Sequence, residues 1–382
     1  MDIKRNNNLF NLYVFLTTFS RNLLEVFVGT ILYKLGFSLH QVVFYYLLVN
    51  LFSLILAVPC THISKKYSNK LLSVMGIMSF LGLQVALNYV KKKMIFIYII
   101  AFLFALYRRA YWIARRYYTM QIIDDKKNIA SRYSVISILN QLGVIVSAYC
   151  GALFLQFFSI KVITAISIIL LGVSLVLLYM INFEYEKNDI KLNLFETIKC
   201  TPKSSMLNIS CYEMQNVIKF LFPLFIIIYI KNTYTAIGIV NLLANIASLI
   251  FTYVYGRLIN NKKNFLKFSI FFFLLIKLLQ INTSGMLLLI LSFVEGFASR
   301  MYEQSFHKEH FTLSKSFEYA NYNYMYEMVM NASRLIVVVF LYLFIKDIKT
   351  MLYITIGIMS LGLVFNFKTK SRKKVSNVLW VE

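Results

Sequence analysis

The chain has 382 residues, 59% of them hydrophobic and only 15% charged, with a mean hydropathy of +0.67; a water-soluble domain carries about 25% charged residues. This composition excludes an ordinary soluble domain. The formal charge of +24 would suit a polyanion binder, but the basic residues gather in short breaks between apolar stretches. There they set the orientation of membrane helices, so no nucleic-acid partner is expected.

The apolar stretches are each about 20 residues long, enough to cross a hydrocarbon core as an α-helix. Continuous runs such as Val162 to Ile181 lack the in-out alternation of a membrane β-barrel. The opening Met1-Asp2-Ile3-Lys4-Arg5 has a positive flank, but the next segment carries Arg21 and Glu25 and lacks a small-residue cleavage site. It reads as a retained span, not a signal peptide.

Spans are predicted near Leu9 to Tyr33, Val42 to Cys60, Leu71 to Val90, Met94 to Tyr118, Ala130 to Phe158 and Val162 to Asn182. A second set falls near Met206 to Ile230, Ala236 to Ile259, Phe265 to Ile281, Met286 to Phe306, Phe317 to Ile345 and Met351 to Phe367. The predicted fold is therefore an all-α integral membrane protein of about twelve transmembrane helices in two pseudo-symmetric six-helix bundles. Its parts are a first half over 1–182, a polar cytoplasmic linker over 183–205, a second half over 206–367 and a basic cytoplasmic tail over 368–382. With the N-terminus inside, Lys65, Lys66, Lys70, Lys126, Lys127, Lys262 and Lys263 join both tails on the inner side. The outer side keeps Lys34, Lys91 to Lys93, Lys161, Lys231, Lys346 and Lys349. Both termini are expected in the cytoplasm of a bacterial plasma membrane, with lipids as surroundings.

The basic break Lys65-Lys66-Tyr67-Ser68-Asn69-Lys70 after the second span has a counterpart, Asn260-Asn261-Lys262-Lys263-Asn264, after the eighth. Gly256-Arg257-Leu258-Ile259-Asn260 resembles the loop motif G-x-L-x-D-R-x-G-R of the major facilitator superfamily, with Asn for Asp. In the first half Cys60-Thr61-His62-Ile63-Ser64-Lys65 keeps only the basic character. Gly143 and Gly151 match the antiporter pattern of that family in the fifth span, with Ser147 and Ala148 in place of its Gly-Pro. Small residues at such spacing also serve close helix packing in lipid, and both readings stay open here. The resemblance implies a transporter in which spans 1, 4, 7 and 10 line a central cavity and Lys65, Lys66, Gly256 and Asn260 belong to gating loops.

Ionisable side chains in the spans should face a cavity or a partner, because lipid penalises them. They concentrate as Arg21 and Glu25 in span 1, Arg108, Arg109, Arg115 and Arg116 in span 4, Glu213 and Lys219 in span 7, Glu295, Arg300 and Glu303 in span 10, and Glu318, Glu327 and Arg334 in span 11. Span 9 holds only Lys277 and is expected to face lipid with spans 3, 6 and 12. The candidate substrate cavity is therefore Arg21, Glu25, Arg108, Arg109, Trp112, Glu213, Glu295, Arg300, Glu303 and Glu327. Arg115 and Arg116 are expected to snorkel to the headgroups, and the tyrosines from Tyr319 to Tyr326 to form an interfacial belt.

Guanidinium forks beside aromatic rings suit an anionic or zwitterionic solute. The function expected is secondary active transport of such a small solute by alternating access, with proton-coupled efflux as one form and a single chain sufficing. A flippase or immunity-type transporter of a lipid-linked or amphipathic substrate is the alternative. A membrane-embedded enzyme is disfavoured because no H-E-x-x-H, G-x-S-x-G or Walker motif occurs, and no catalytic residues are assigned. Four scattered cysteines and the pair His307-x-x-His310 suggest neither metal nor cofactor.

Overall fold

The protein, seen in a computed structural model, is described over residues 3–123, 129–181, 194–258, 266–314 and 319–368. The basic loops at Lys126, Lys127, Lys262 and Lys263 and nearly all of the tail lie outside the described residues. Regular structure among the described residues is helical throughout.

The first bundle comprises α1 (Ile3–Asn22), α2 (Val28–Lys34), α3 (Leu39–Lys66), α4 (Asn69–Asn88), α5 (Met94–Ile123), α6 (Ile129–Phe157) and α7 (Ile160–Met180). A short helix, α8 (Leu194–Cys200), precedes the second, which comprises α9 (Lys203–Phe225), α10 (Tyr234–Leu258), α11 (Leu266–Ile281), α12 (Gly285–Ser314), α13 (Tyr319–Phe344) and α14 (Ile348–Lys368). With α1 and α2 counted as one span, each bundle has six. Ten spans are long and apolar enough to cross a membrane. The other two are shorter: α11 has 16 residues, and the apolar part of α14 is Ile348–Val364.

Turn chemistry sets the tight connections. Gly36 at φ +92° follows α2, where the amides of Gly36 and Phe37 return to the carbonyls of Tyr33 and Leu32. Ser38 and Gln41 then close a capping box on α3. Pro223 leaves α9 short of one amide donor, and the helix widens into a π turn over Ile226–Ile230.

The first span, expected as one helix, is broken. A turn at Leu23 and Leu24 and a 3-10 turn over Glu25–Phe27 separate α1 from α2. Side chains serve the disturbed backbone: Asn22 Nδ2 donates to the Thr18 carbonyl at 2.9 Å and Thr30 Oγ1 to the Phe27 carbonyl at 2.8 Å. Non-helical backbone at this depth is tolerated where it borders a cavity.

Lipid offers no hydrophobic drive between helices, so close approach of backbones counts. A side chain at Gly151 on α6 would strike the Leu23 carbonyl at the break, and one at Gly76 would come within 2.8 Å of the Tyr111 amide on α5. Gly143 likewise faces Phe15 and Thr18 of α1, so the glycine spacing of the fifth span seats α1. The bundles meet through α6 against α10 and α3 against α13. Gly151→Val is expected to lower stability by about 2 to 3 kcal/mol through overpacking. Gly172→Ala, with nothing within 4 Å, should not; thermal unfolding of the detergent-purified variants measures both.

Candidate functional site

A cavity of about 430 Å³ lies between the bundles at mid-depth, and a second of about 330 Å³ continues it toward the end that bears the chain termini. Glu25, Arg108, Trp112, Asn140, Tyr212, Asn216, Arg300 and Glu303 line both. Arg108 sits half-way along the 30-residue α5, and Thr119, which lines the second cavity, lies about 16 Å further along at 1.5 Å per residue.

The opposite end is sealed. Tyr46 of α3 stacks on Phe220 of α9 with centroids 3.8 Å apart, and His40 of α3 on Tyr342 of α13 at 4.0 Å. Lys34 Nζ donates to the Asn232 carbonyl at 3.3 Å and lies 4.0 Å from the Tyr234 ring centroid. The Tyr234 amide donates to Gln156 Oε1 at 3.2 Å.

Nine cationic side chains line the two cavities: Arg21, Arg108, Arg109, Arg115, Arg116, Lys219, Lys277, Arg300 and Arg334. They face four lining carboxylates, Glu25, Glu213, Glu295 and Glu303, with Glu327 buried behind them. Arg21 Nε pairs with Glu25 Oε2 at 3.0 Å, and Arg300 Nη1 with Glu303 Oε2 at 2.9 Å. Arg334 Nε holds Glu213 Oε2 at 2.7 Å with both side chains fully buried, and Lys277 Nζ lies 3.5 Å from Glu295 Oε1. Glu327 of α13 is held by both Arg109 and Arg116 of α5, the one set of ion pairs joining the two bundles among the described residues. Among the described residues Arg108 and Lys219 form no ion pair, and neither does Arg115, whose guanidinium bonds Asn140 Oδ1 at 2.8 Å and the Tyr111 hydroxyl at 3.2 Å.

Polar ties hold this frame. Thr18 Oγ1 donates to Asn140 Oδ1 at 2.8 Å and Thr17 Oγ1 lies 3.0 Å from the Tyr111 hydroxyl, joining α1, α5 and α6. In the second bundle Gln215 Nε2 donates to Ser299 Oγ at 2.6 Å, and Arg300 Nε to Thr252 Oγ1 at 2.9 Å. Between bundles, Gln141 Nε2 donates to Ser248 Oγ at 3.0 Å and Thr252 Oγ1 to Gln141 Oε1 at 3.2 Å.

Nine of the ten sequence-derived residues line the two cavities; Glu327 lines neither and is held by Arg109 and Arg116. Trp112 offers little open face, because the guanidinium carbons of Arg21 and Arg115 lie 5.0 and 4.9 Å from its ring centroid. Three expectations are corrected. Arg115 and Arg116 turn inward to Asn140 and Glu327 and do not snorkel. Lys277 is 4% exposed and reaches the cavity, so α11 presents a charge inward, where lipid contact was expected. Tyr322, Asn323 and Tyr326 are buried along the second cavity, not arranged as an interfacial belt.

Of the expected gating residues, Lys66 is exposed with its Nζ 5.7 Å from the Tyr67 ring centroid, and Gly256 falls within α10. Asn260 and the side chain of Lys65 lie outside the described residues. His310 Nδ1 is 3.0 Å from the Tyr322 hydroxyl, and His307 Nε2 is 3.8 Å from Glu303. Among the described residues no group of three or more His, Cys, Asp or Glu is placed to hold a metal ion.

The polar stripes of the second half were not read as cavity lining in the sequence, where only Lys219 was noted, as a span charge. Tyr212, Asn216 and Lys219 on α9, and Asn241, Asn245 and Ser248 on α10, recur at three- and four-residue spacing and line the first cavity. Replacing Glu327 by Gln should leave the fully buried Arg109 without its ion-pair partner. A loss of about 3 to 5 kcal/mol is expected, read as a fall in the unfolding temperature that the double variant Arg109→Met with Glu327→Met partly restores.

Comparisons with known proteins follow the same lines. A family model described as "Major Facilitator Superfamily" matches residues 10–207, just over half of the chain. A bacterial homologue of the iron transporter ferroportin in its inward-facing state superposes with a TM-score of 0.74 at 13% identity, covering 97% of this chain and 100% of that one. Its outward-facing state gives 0.65 at 13%, with coverages of 96% and 100%. The nucleoside transporter NupG gives 0.69 at 13%, with coverages of 95% and 99%. No curated protein matches the sequence.

Proposed function

The chain belongs to the Major Facilitator Superfamily and is a multi-pass membrane transporter, and from that premise we propose that it moves an anionic solute held between Arg108 of the first bundle and Lys219 of the second. One observation carries this reading: the cavity-lining carboxylates each stand in an ion pair, and these two cations line the wall from opposite bundles with no carboxylate at ion-pair distance among the described residues. An isolated charge in a low-dielectric site is costly, so an anion that reaches both is favoured. Because Arg108 and Lys219 move with different bundles, an anion bridging them ties binding to the relative position of the halves, which is what alternating access requires.

The sealed aromatic end and the cavity extending toward the terminal end support an inward-facing arrangement in a bacterial plasma membrane, with both termini cytoplasmic. The excess of Lys and Arg expected on that side supports the same orientation. A small free solute fits the enclosed cavity better than a lipid-linked one, and one chain supplies both walls.

Proton coupling has one favoured carboxylate. Glu295 is paired with a lysine, which can give up its proton, whereas the other four are held by arginines, which do not. Around the pair, α9 brings Lys219 and Phe222, α10 brings the uncharged Asn241 and Asn245, and α12 carries Arg300 and Glu303 further along.

Arg108→Ala and Lys219→Ala should each lower solute uptake into proteoliposomes at least tenfold while purifying and eluting as the parent does. Normal uptake in both would refute the assignment. Glu295→Gln is expected to abolish accumulation driven by a pH gradient while counterflow exchange continues. Loss of both modes together would remove Glu295 from the coupling role.

A further inference from the structure

The anion-carrier reading leaves open how much charge the solute brings, and the cavity constrains it. Nine lining cations oppose five carboxylates even when the buried Glu327 is included. The excess is localised. Among the described residues Arg108 and Lys219 form no ion pair, and Arg115 meets only neutral acceptors. Arg334 gives its Nε to Glu213, but its two terminal nitrogens are buried and find no acceptor among the described residues. Arg334 lines the second cavity beside Arg108, within electrostatic reach of it.

These cations approach the two continuous cavities from three helices, Arg108 of α5 lining both, Lys219 of α9 the first and Arg334 of α13 the second. A single carboxylate offers two oxygens in one plane and one negative charge, which satisfies one fork and leaves the rest of the excess. A phosphate monoester offers three terminal oxygens pointing in different directions and a charge of about −1.5 to −2 near neutral pH. The two cavities, about 430 and 330 Å³, leave room for an organic body beside the phosphoryl group. We infer that the solute is a doubly charged anion of the phosphate-monoester class, its phosphoryl group shared by Arg108, Lys219 and Arg334; this rests on the anion-carrier reading above.

Trp112 gives a direct readout, since it lines both cavities and the only other tryptophan in the sequence is Trp380. In a Trp380→Phe background the purified protein is titrated with glycerol 3-phosphate, glucose 6-phosphate, dimethyl phosphate, acetate and succinate while Trp112 fluorescence is followed. At least one of the two monoesters should bind, about tenfold more tightly at pH 7.5 than at pH 5, as its second ionisation near pH 6 completes. Dimethyl phosphate and acetate, each with one charge, should bind at least tenfold more weakly. Arg334→Lys should weaken monoester binding while leaving acetate unaffected.

Dimethyl phosphate or acetate binding as tightly as the monoesters overturns the double charge. Succinate binding more tightly than both monoesters overturns the phosphate class while leaving an anion carrier. If none of the five titrates Trp112, the anion-carrier reading fails and takes this inference with it. Lysophosphatidate competing better than glycerol 3-phosphate supports the same headgroup chemistry and assigns its source to lipid.

Discussion

A charge that leaves water has to find an opposite charge, and this constraint orders the interior of the molecule. Each of the five interior carboxylates has a cationic partner, and the partnerships differ in what they tie together. Arg21 with Glu25 and Arg300 with Glu303 stay within one span. Glu213 with Arg334 and Glu295 with Lys277 join neighbouring helices of the second bundle. The fork from Glu327 to Arg109 and Arg116 spans the gap between bundles. Breaking such a pair costs more than the pair contributes, because the remaining charge stays buried, so pairing constrains which helices can move apart.

The bundles are joined by different physics toward the two ends of the cavity. At the sealed end, Tyr46 on Phe220 and His40 on Tyr342 are stacked rings, whose contact depends on area and fit. Toward the terminal end the link is ionic and directional. An ionic link weakens steeply once water raises the local dielectric, whereas stacked rings do not depend on screening. A bundle hinged between such contacts has a reason to separate first where water and ions can reach.

Most of the spans were legible in the sequence because lipid demands long apolar runs. The break in the first span was not. Leu23-Leu24-Glu25-Val26-Phe27 contains neither proline nor glycine, and the irregular backbone is accommodated by a glycine on another helix, Gly151, which admits the Leu23 carbonyl. Counting charges per span found the cavity-lining helices yet misplaced Lys277, because α11 faces lipid on one side and Glu295 on the other; a count per face is needed. Arg115 and Arg116 were misjudged for a related reason. Their partners, Asn140 and Glu327, stand 25 and 211 positions away in the chain, beyond the reach of local spacing. Lys219 was counted as a span charge but not assigned to the cavity, since its meaning lies in having no ion-pair partner among the described residues.

The uncompensated positive charge of the cavity has an electrical consequence. An elementary charge carried through a potential of 100 mV involves about 2.3 kcal/mol, so a change of access with the cavity empty works against, or runs down, the membrane voltage. A doubly charged anion of the kind proposed would offset half of the four-charge excess, so the loaded change of access carries less charge than the empty one. On the anion-carrier proposal, the change of access would cost less against the voltage when loaded than when empty, which would favour swapping one anion for another over one-way release.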